Sequence, residues 1–408
     1  MIDYVFVATA IFGVVSFTYY TLNSFMALRY KSAHRKAAKL ADASDLTIVV
    51  PVYNEGEKTF KRCISSVAAQ GAHFIVVGDS SLEPYKSITE ANGGRFIFLE
   101  KNVGKRKAIA EGIKEVTTRY VMFVDSDTSI SRNASRSMLS MFDDKVGGVG
   151  CRISIRKRRG WISYSAEFFE RLKEVTFKAM SYAGTVMVLD GRCAAYRTEL
   201  IRDFMQSEEY RNNSFMGKPS NLAEDRHITS YVSSLGYKTV IDYDAVATTE
   251  PQKNPRMFFR QMVRWSRAGY FYFFKEVADG SYFRKGPFYA FEMLYIYVFP
   301  IAIIALALAR FDVYLSHGLV VALAIESARA GRLLTYGLAG MSPKLLFYMW
   351  IEIVGFVGTL VFGTAVGVTI LRKKKRTMIM GGIALLMLFA ASLYGLASVY
   401  KQDKWLTR

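Results

Sequence analysis

Long apolar segments at both ends of the chain constrain its architecture more than any other feature of the sequence. Residues 4–28 form an apolar run that is long enough to cross a bilayer as a helix, and further apolar runs lie between residues 288 and 400. The part of the chain between these blocks has the pattern of short apolar runs and polar segments that is typical of a soluble domain. We therefore expect a polytopic membrane protein that carries a soluble insert.

Basic residues predict the orientation of this protein in the cell membrane. The first apolar run is followed by five basic side chains, at Arg29, Lys31, Arg35, Lys36 and Lys39. Such residues collect at the cytoplasmic ends of membrane spans, so residue 29 onward is expected in the cytoplasm. The run does not resemble a signal peptide, because no basic side chain precedes it and no small-residue cleavage site closes it.

Charge and cysteine usage exclude two other classes of protein. The formal net charge is +19, but basic residues also gather beside anionic lipid, and the sequence contains no nucleic-acid-binding motif. We expect membrane lipid, and no nucleic acid, as a partner. Cys63, Cys151 and Cys193 follow no CxxC or metal-finger spacing, which predicts a reducing compartment and no disulfide framework.

Four regions are expected along the chain. They are an N-terminal transmembrane helix with a basic linker at 1–43, a cytoplasmic α/β domain at 44–250, amphipathic interface helices at 251–287 and a C-terminal transmembrane region at 288–408. The α/β expectation rests on short apolar runs that alternate with helical patterns. The runs predict strands at 46–50, 74–77, 96–99 and 120–124, and the helical patterns lie at about 57–70 and 104–117. This alternation predicts a largely parallel sheet.

The C-terminal region does not have a simple predicted topology. Residues 288–309 make a plausible span, whereas the next run, at 313–336, contains Glu326 and Arg329 and so has a face that is turned away from lipid. The basic cluster at 372–376 should be cytoplasmic. We therefore favour a re-entrant or interfacial segment at 345–371 over a full crossing.

Two acids, Asp125 and Asp127, follow the strand predicted at 120–124. Parallel α/β sheets bind ligands at the carboxyl ends of their strands, and residues two apart in an extended segment share one side. Two nearby carboxylates repel each other unless a cation lies between them, and a divalent ion that bridges phosphate oxygens would meet this need. From the local pattern alone, an ordinary Asp/Ser turn stays open as an alternative.

Other polar segments are predicted at the same edge of the sheet. Tyr53, Asn54 and Glu55 follow the first strand, and Asp79 follows the second. The segment Gly104–Arg106 opens a helix, where a glycine and basic side chains suit a phosphate group. A solvated helix start remains the alternative for that segment.

Two later segments carry further candidates. Glu224 and Asp225 open a probable helix, where acids can also act as simple partners of the helix dipole. His227 in the same segment is expected to be a structural hydrogen-bonding residue, because no His or Cys partner has the spacing of a metal site. Gln261, Arg264 and Trp265 lie in a basic, aromatic helix at 255–277, which predicts an interfacial helix on the membrane; lipid anchoring alone is the alternative.

In their order and spacing, these motifs resemble those of the membrane-embedded processive glycosyltransferases of family 2, which include hyaluronan, chitin-oligosaccharide and cellulose synthases. The resemblance extends from about residue 44 to at least residue 310, and it is closer to the first two groups than to cellulose synthases. It implies a nucleotide-sugar domain of the GT-A type, which is an α/β fold with a mostly parallel sheet. This domain would be joined to interfacial helices and an α-helical transmembrane region.

The resemblance also implies a role for each candidate residue. The segment Asp125–Thr128 is similar to the family's metal and donor-diphosphate motif, and Gly191–Arg197 is similar to a loop beside the acceptor. The residues that match the nucleotide-contacting loops are Tyr53, Asn54, Glu55, Asp79, Lys105 and Arg106. Glu224 and Asp225 match the acceptor-site motif, whose second acid is the general base. Gln261, Arg264 and Trp265 match the QxxRW motif that lies over the donor diphosphate.

The implied chemistry is an inverting sugar transfer from a UDP-sugar to a growing polysaccharide or another glycan acceptor. Mn²⁺ or Mg²⁺ would be held by Asp127 with help from Asp125, and Trp265 would stack on the acceptor sugar. Glu326 and Arg329 would line a route for the product across the membrane. Two alternatives stay open: a non-processive enzyme that adds a single sugar to a lipid-linked or other membrane acceptor, and a transporter or receptor with an inactive nucleotide-binding domain.

Overall fold

An eight-stranded sheet forms the centre of the segment between residues 46 and 249. The computed structural model describes residues 2–32, 42–215, 217–220, 222–302, 304–306, 308, 350, 353, 357, 358, 360, 361, 363–367 and 375–401. The strands of the central sheet and of a small hairpin (β8 and β9) are β1 Leu46–Val52, β2 His73–Asp79, β3 Arg95–Leu99, β4 Tyr120–Val124, β5 Thr128–Ile130, β6 Val146–Ile155, β7 Cys193–Arg197, β8 Ser214–Phe215, β9 Lys218–Pro219 and β10 Lys238–Thr249.

Thirteen labelled helices accompany these strands in the described residues. They are α1 Ile2–Arg29, α2 Glu57–Ala68, α3 Tyr85–Ala91, α4 Lys105–Gly112, α5 Ala134–Leu139, α6 Ile162–Ala183, α7 Thr198–Gln206, α8 Glu208–Arg211, α9 Glu224–Ser234, α10 Pro255–Ala278, α11 Ser281–Arg284, α12 Pro287–Tyr297 and α13 Lys375–Ala397.

The strand order in the sheet is β3-β2-β1-β4-β7-β6-β10-β5. Strands β3, β2, β1 and β4 are mutually parallel, β6 and β10 form a further parallel pair, and β7 and β5 run antiparallel to their neighbours. The four strands predicted from apolar runs and the mostly parallel α/β sheet are thereby confirmed. The antiparallel β7 brings the segment that precedes it, which begins near residue 190, back to the end of β4.

Both faces of the sheet are covered, which explains why its central strands are continuous apolar runs. Along β1, Ile48 and Val50 belong to a core that includes Phe60 of α2, whereas Val49 belongs to a second core that includes Ile109 of α4. The alternation follows the period of two that a strand imposes on its side chains. The carboxyl ends of β1, β2 and β4 remain open at one edge, where the polar segments lie.

Among the described residues, three helices are long and apolar enough to cross a membrane: Ala10–Arg29, Pro287–Leu306 and Arg376–Ala397. The first two pack on each other, because Tyr19 stacks on Tyr295 and the side-chain amide of Asn23 donates a hydrogen bond to Glu292. This result supports a membrane protein. The run predicted at 313–336, with Glu326 and Arg329, lies outside the described residues, as do most of 345–371 and most of the cluster at 372–376.

Helix α6 joins the sheet to the apolar helices, and the sequence patterns did not predict it. On one side its buried Arg171 pairs with Glu167 and Glu174 of the same helix and donates to the backbone carbonyl of Ile153 in β6. On the other side, the hydroxyl of Ser165 donates to the carbonyl of Met380 in α13 at 2.9 Å. The helix is therefore fixed to both parts of the protein.

Helix α10 differs from the expectation of a helix that presents its aromatic side chains to the membrane. Its residues Tyr270, Phe271, Tyr272 and Phe273 are all buried in the protein. The helix packs closely on α13, where Arg267 donates to the hydroxyl of Ser398 at 2.8 Å. Lipid anchoring alone therefore does not explain its aromatic composition, and the division of the chain into four regions stays a prediction.

Candidate active site

A cavity of about 530 Å³ opens at the carboxyl edge of the sheet, a size that is typical of ligand pockets. It is bounded by the segments after β1, β2 and β4, by the first turns of α4 and α9, and by one face of α10. The sequence-predicted site residues that line it are Tyr53, Asp79, Lys105, Arg106, Asp125, Asp127, Glu224, Asp225, Gln261, Arg264 and Trp265. Residues that are up to 212 positions apart, Tyr53 and Trp265, thus meet in one cavity.

Two predicted residues are not among the described residues that line this cavity. Asn54 lies beside it with a positive φ of 49°, and its backbone N–H donates to the hydroxyl of Ser81. Glu55 turns its carboxylate to the backbone N–H of Gly56 at 2.9 Å, and its own carbonyl accepts from Tyr85. In this structure both residues shape the start of α2.

Lys105 connects the two acidic motifs at the floor of the cavity. Its ammonium nitrogen lies 2.6 Å from Oδ1 of Asp125 and 2.7 Å from Oε1 of Glu224. Burial by itself lowers the pKa of Lys105, but these carboxylates and that of Asp225 raise it above its usual value. The lysine is therefore charged, and it holds the end of β4 against the first turn of α9.

The three carboxylates near Lys105 have different electrostatic environments. Burial raises the pKa of Asp125, and the neighbouring charge of Asp127 adds to this effect. Glu224 is also buried, which raises its pKa, but Lys105 and Arg106 reverse the effect and hold it below the usual value. Burial and the charge of Glu224 raise the pKa of Asp225 to about 6. Of the three, Asp225 has the proton affinity that is suited to exchange near neutral pH.

The carboxylate of Asp225 is held in place by backbone donors. Oδ1 accepts from the N–H of Arg226 at 2.8 Å, and Oδ2 accepts from the N–H of Gly191 at 3.0 Å. Each oxygen keeps a further lone pair that can accept a proton. A methyl group at Gly191 would lie 3.1 Å from Cβ of Asp225 and 3.1 Å from the nitrogen of Lys105. Only a glycine lets this loop approach so closely.

Asp127 lies on the other side of Asp125, where the chain turns into β5. The hydroxyl groups of Thr128 and Thr249 donate to its Oδ1 at 3.0 Å and 3.4 Å. In the part of the chain that the structure describes, no group of three or more His, Cys, Asp or Glu side chains could hold a metal ion. Two carboxylates with further oxygens from a bound phosphate group are, however, a common ligand set for Mg²⁺. The residues present fit a metal that binds together with a diphosphate.

Asp79 organises the loop that precedes α4. Its two carboxylate oxygens accept backbone N–H groups from Val103 and Gly104, at 2.7 Å and 2.9 Å. Gly104 has a φ of 83°, a conformation that an L side chain rarely adopts. This arrangement turns the chain so that α4 begins at Lys105, with its first turn directed at the cavity.

The end of the cavity beside Trp265 contains two residues of α6, Phe169 and Glu170, that the sequence analysis did not single out, next to Arg192 of the predicted loop Gly191–Arg197. Phe169 of α6 stacks on Trp265, with ring centroids 5.5 Å apart and planes 14° apart. Next to this pair, Arg192 lies between two acids: it donates to Glu170 at 2.8 Å and to Asp190 at 2.7 Å. Flat aromatic rings beside fixed charged groups form a surface on which a sugar can stack and hydrogen-bond.

A second unexpected feature lies at the rim of the cavity, next to β5. Glu250 lines the cavity and pairs with three arginines, Arg62 at 2.6 Å, Arg156 at 2.8 Å and Arg158 at 2.8 Å. Burial by itself raises the pKa of Glu250, but the arginines hold it below the usual value. The sum of these four charges is positive, so the rim attracts anions. Two sequence signals accompany these unexpected residues: the acids of α6 recur at helical spacing, and basic residues cluster at 156–159. Neither signal by itself predicts that the residues line a cavity.

Comparisons with known proteins agree with this arrangement. A family model described as glycosyltransferase like family 2 matches residues 43–268. An N-acetylglucosaminyltransferase of Azorhizobium caulinodans is 34% identical over 248 residues, which are 56% of this chain and 62% of that protein. Another from Mesorhizobium japonicum is 30% identical over 235 residues, 54% of this chain and 55% of that protein. The matched segment thus spans little more than half the length of these relatives.

A solved structure supports the fold assignment. The mannosyltransferase PcManGT from Pyrobaculum calidifontis, in complex with GDP-Man and Mn²⁺, is similar with a TM-score of 0.58 and 18% identity, over 88% of this chain and 99% of that one. At this identity the likeness concerns the fold, which is of the GT-A type. Because the family match covers more than half of the sequence and includes both the sheet and most of the cavity, the chain belongs to glycosyltransferase family 2.

Proposed function

We propose that the protein transfers a sugar from a UDP-sugar to a glycan acceptor with inversion at the anomeric carbon, and that Asp225 is the general base. The observation that carries this proposal is the Lys105 bridge, which joins the acid of the proposed donor motif, Asp125, to the acids of the proposed acceptor motif. A donor bound at the first and an acceptor bound at the second would meet at the lysine.

The proposed proton transfer uses the geometry of Asp225. As the acceptor oxygen bonds to the anomeric carbon, the bond from that carbon to the diphosphate breaks, and the hydroxyl proton passes to the carboxylate of Asp225. The backbone donors from Gly191 and Arg226 fix the carboxylate, and its pKa of about 6 lets it accept a proton near neutral pH. Because the leaving group departs opposite the incoming oxygen, the product has the inverted configuration.

The leaving UDP requires positive charge where its diphosphate forms. Lys105 and Arg264 both line the cavity, and Lys105 can exchange its contact with Asp125 for one with the departing phosphate. Asp127 and Asp125 would hold Mn²⁺ or Mg²⁺, which would supply Lewis-acid stabilisation of the leaving group. Gln261 and Trp265 lie one turn apart on α10, and Trp265 would stack on the acceptor sugar.

For the donor, we propose UDP-N-acetylglucosamine. The support is the description of the relatives as N-acetylglucosaminyltransferases, at 34% and 30% identity. We further propose that the enzyme is processive and passes its polysaccharide across the membrane, as hyaluronan and chitin-oligosaccharide synthases do. The three candidate membrane helices and the contact of α6 with α13 support this second step, while transfer of a single sugar to a membrane acceptor fits the same site.

One assay tests the activity and separates these possibilities. The purified full-length protein is incubated with a panel of UDP-sugars and with Mn²⁺ or Mg²⁺, and UDP release and product size are measured together. We expect release from UDP-N-acetylglucosamine with a polymeric product. A product extended by one sugar would favour the single-transfer enzyme, and no UDP release from any donor would contradict the proposal and favour an inactive nucleotide-binding domain.

A further inference from the structure

We infer that Arg106 is a positioning residue that does not bind the donor diphosphate. It fixes the first turn of α9 and thereby the position of Glu224 and Asp225. This inference rests on the proposed function, and it differs from the sequence-based expectation that Arg106 contacts the nucleotide. The neighbouring residue, Lys105, has its ammonium group in the cavity between two carboxylates. Two adjacent basic residues that look equivalent in the sequence would therefore act on different parts of the site.

The hydrogen bonds of Arg106 are directed at the protein. The side chain is 2% exposed, and its Nη1 donates to the carbonyl of Tyr210 and contacts Nδ1 of His227, at 3.2 Å and 3.0 Å. Its Nη2 donates to the carbonyl of Leu222 at 2.9 Å and to the hydroxyl of Tyr272 at 3.4 Å. These four contacts account for the four N–H groups of the two terminal nitrogens.

Recognition of a phosphate by arginine normally uses two parallel N–H groups of the guanidinium. In Arg106 only the single N–H of Nε lacks a partner. The planar group also lies over the ring of Tyr210, with Cζ 4.9 Å from the ring centroid. A rotation towards a diphosphate would break several buried hydrogen bonds at once, each of which is costly to leave unmade.

The bond to the carbonyl of Leu222 holds the junction at which α9 begins. The next residue, Ala223, has φ 52° and ψ 54°, a left-handed conformation that a non-glycine residue keeps only where surrounding contacts enforce it. Glu224 and Asp225 follow directly. A loss of the Arg106 contact would let this turn relax and would move both acids relative to Lys105.

His227 provides the second attachment to the same helix. It is 4% exposed, and its Nδ1 lies against a guanidinium, which can only donate, so Nδ1 is the acceptor. Nε2 faces Glu209 at 3.6 Å and Lys275 at 3.4 Å. Burial lowers the pKa of His227 to about 4, which keeps the ring neutral and able to accept from Arg106 over the working pH range.

The first turns of α4 and α9 are thus joined twice. The ion pair of Lys105 with Glu224 lies in the cavity, and the hydrogen bond of Arg106 with His227 lies behind it. The ion pair of Lys105 with Glu224 would change when a donor binds, because Lys105 is shared with Asp125. The hydrogen bond of Arg106 with His227 is enclosed by protein. The contact of Arg106 with His227 therefore fixes the helix that carries Asp225, while the backbone N–H groups of Gly191 and Arg226 orient its carboxylate.

The test compares kinetic constants of the full-length enzyme with UDP-N-acetylglucosamine. For Arg106→Met we expect kcat to fall by about 10²-fold, the usual effect of a displaced catalytic group. The KM for the donor, and the dissociation constant of UDP with Mn²⁺, should change by less than about threefold. Lys105→Met is the matched comparison and should weaken UDP binding. A rise of about tenfold or more in both donor constants with Arg106→Met would overturn the inference.

A second pair of variants decides the question if Arg106→Met does not fold. In His227→Asn the amide oxygen can replace Nδ1 as the acceptor, so kcat should stay within about threefold of wild type; His227→Leu lacks an acceptor and should lose about 10²-fold. Equal kcat values for these two variants would overturn the inference. Absence of UDP release by the wild-type protein would instead contradict the proposed function, so the two failures are distinguishable.

Discussion

Replacement of Asp225 by asparagine should remove catalysis and one part of the pH dependence of stability. Asparagine keeps the shape of the side chain but has a single acceptor oxygen, so only one of the N–H groups of Gly191 and Arg226 keeps its partner. Asparagine also cannot take up a proton. If Asp225 is the general base, kcat should fall by about 10²–10⁴-fold. The donor constants should change little, because Asp127 and Lys105 remain.

The size of the pH-dependent part of the stability follows from the proton affinity of Asp225 in the folded state. The pKa of Asp225 rises from the usual 3.8 to about 6, and a tenfold change in proton affinity corresponds to about 1.4 kcal/mol. The ionised carboxylate would thus cost at most about 3 kcal/mol. Because the side chain is only partly buried, solvent screening reduces this to about 1–2 kcal/mol. That free energy corresponds to a pH-dependent change in Tm of about 2–8 °C.

The sign of the pH dependence is also fixed. A carboxyl group whose pKa is raised by folding stabilises the protein fully below about pH 4, and this contribution is lost as the pH rises through about 6. The wild-type protein should therefore lose stability over this range, whereas Asp225→Asn should not. The Tm of Asp225→Asn relative to wild type should therefore rise between about pH 4 and about pH 7.5.

The assay is thermal unfolding in detergent at several pH values, together with UDP release at pH 7.5. Asp203→Asn is the control, because Asp203 is exposed on α7, away from the cavity, and should change neither quantity. An Asp225→Asn protein that keeps more than about a tenth of the wild-type kcat would refute the assignment of the base. An Asp225→Asn protein whose Tm relative to wild type is the same at about pH 4 and at pH 7.5 would refute the electrostatic argument.

Three further changes test other parts of the site. Lys105→Met removes the cation between Asp125 and Glu224. The dissociation constant of UDP with Mn²⁺ should therefore rise by about tenfold or more, which calorimetry can measure. Gly191→Ala adds a methyl group 3.1 Å from both Asp225 and Lys105; kcat should fall by about tenfold with an unchanged Tm, and an unaltered kcat would contradict the close approach. Asp127→Asn should raise the Mn²⁺ concentration needed for half-maximal activity by about tenfold, whereas an unchanged metal dependence would exclude this residue as a ligand.

The sheet could be predicted from the sequence because its strands are buried on both faces. Strands β1 and β4 are runs of apolar residues that end in polar segments, and both appear in the structure within a few residues of the expected limits. The meeting of these segments in one cavity followed from the rule that parallel strands share a carboxyl edge. The same rule explains why Asp125 and Asp127 were visible as candidates before the fold was known.

Helix α6 shows what a sequence pattern cannot convey. Glu167, Arg171 and Glu174 have the spacing of a solvated helix face, yet they are buried in ion pairs against β6. Glu170 and Phe169 enter the cavity from the same helix. Burial of charged residues depends on partners that are distant in the chain, and a local pattern carries no information about them.

The role of Arg106 also depends on partners that are distant in the chain and could not be predicted from a local pattern. The sequence presents Lys105 and Arg106 as neighbouring cations at a helix start, and the local rule for phosphate binding applies equally to both. Their separation depends on Tyr210, Leu222 and His227, which lie more than 100 residues further along the chain. No period or spacing in the sequence connects these residues with α4.

Under the proposed function, the cavity wall formed by Phe169 and Trp265 leads us to predict an acceptor that is associated with the membrane. Helix α6 contributes Phe169, which stacks on Trp265, and from the preceding turn it contributes Ser165, which is hydrogen-bonded to α13. Helix α9, which carries Asp225, is attached to the candidate span that begins at α12, because Arg226 donates to the hydroxyl of Tyr297 at 2.6 Å. Packed helices lie about 8–10 Å apart, so a sugar on Trp265 would lie about one helix diameter from a candidate membrane span. These contacts support the proposal that the enzyme receives or exports its glycan at the membrane.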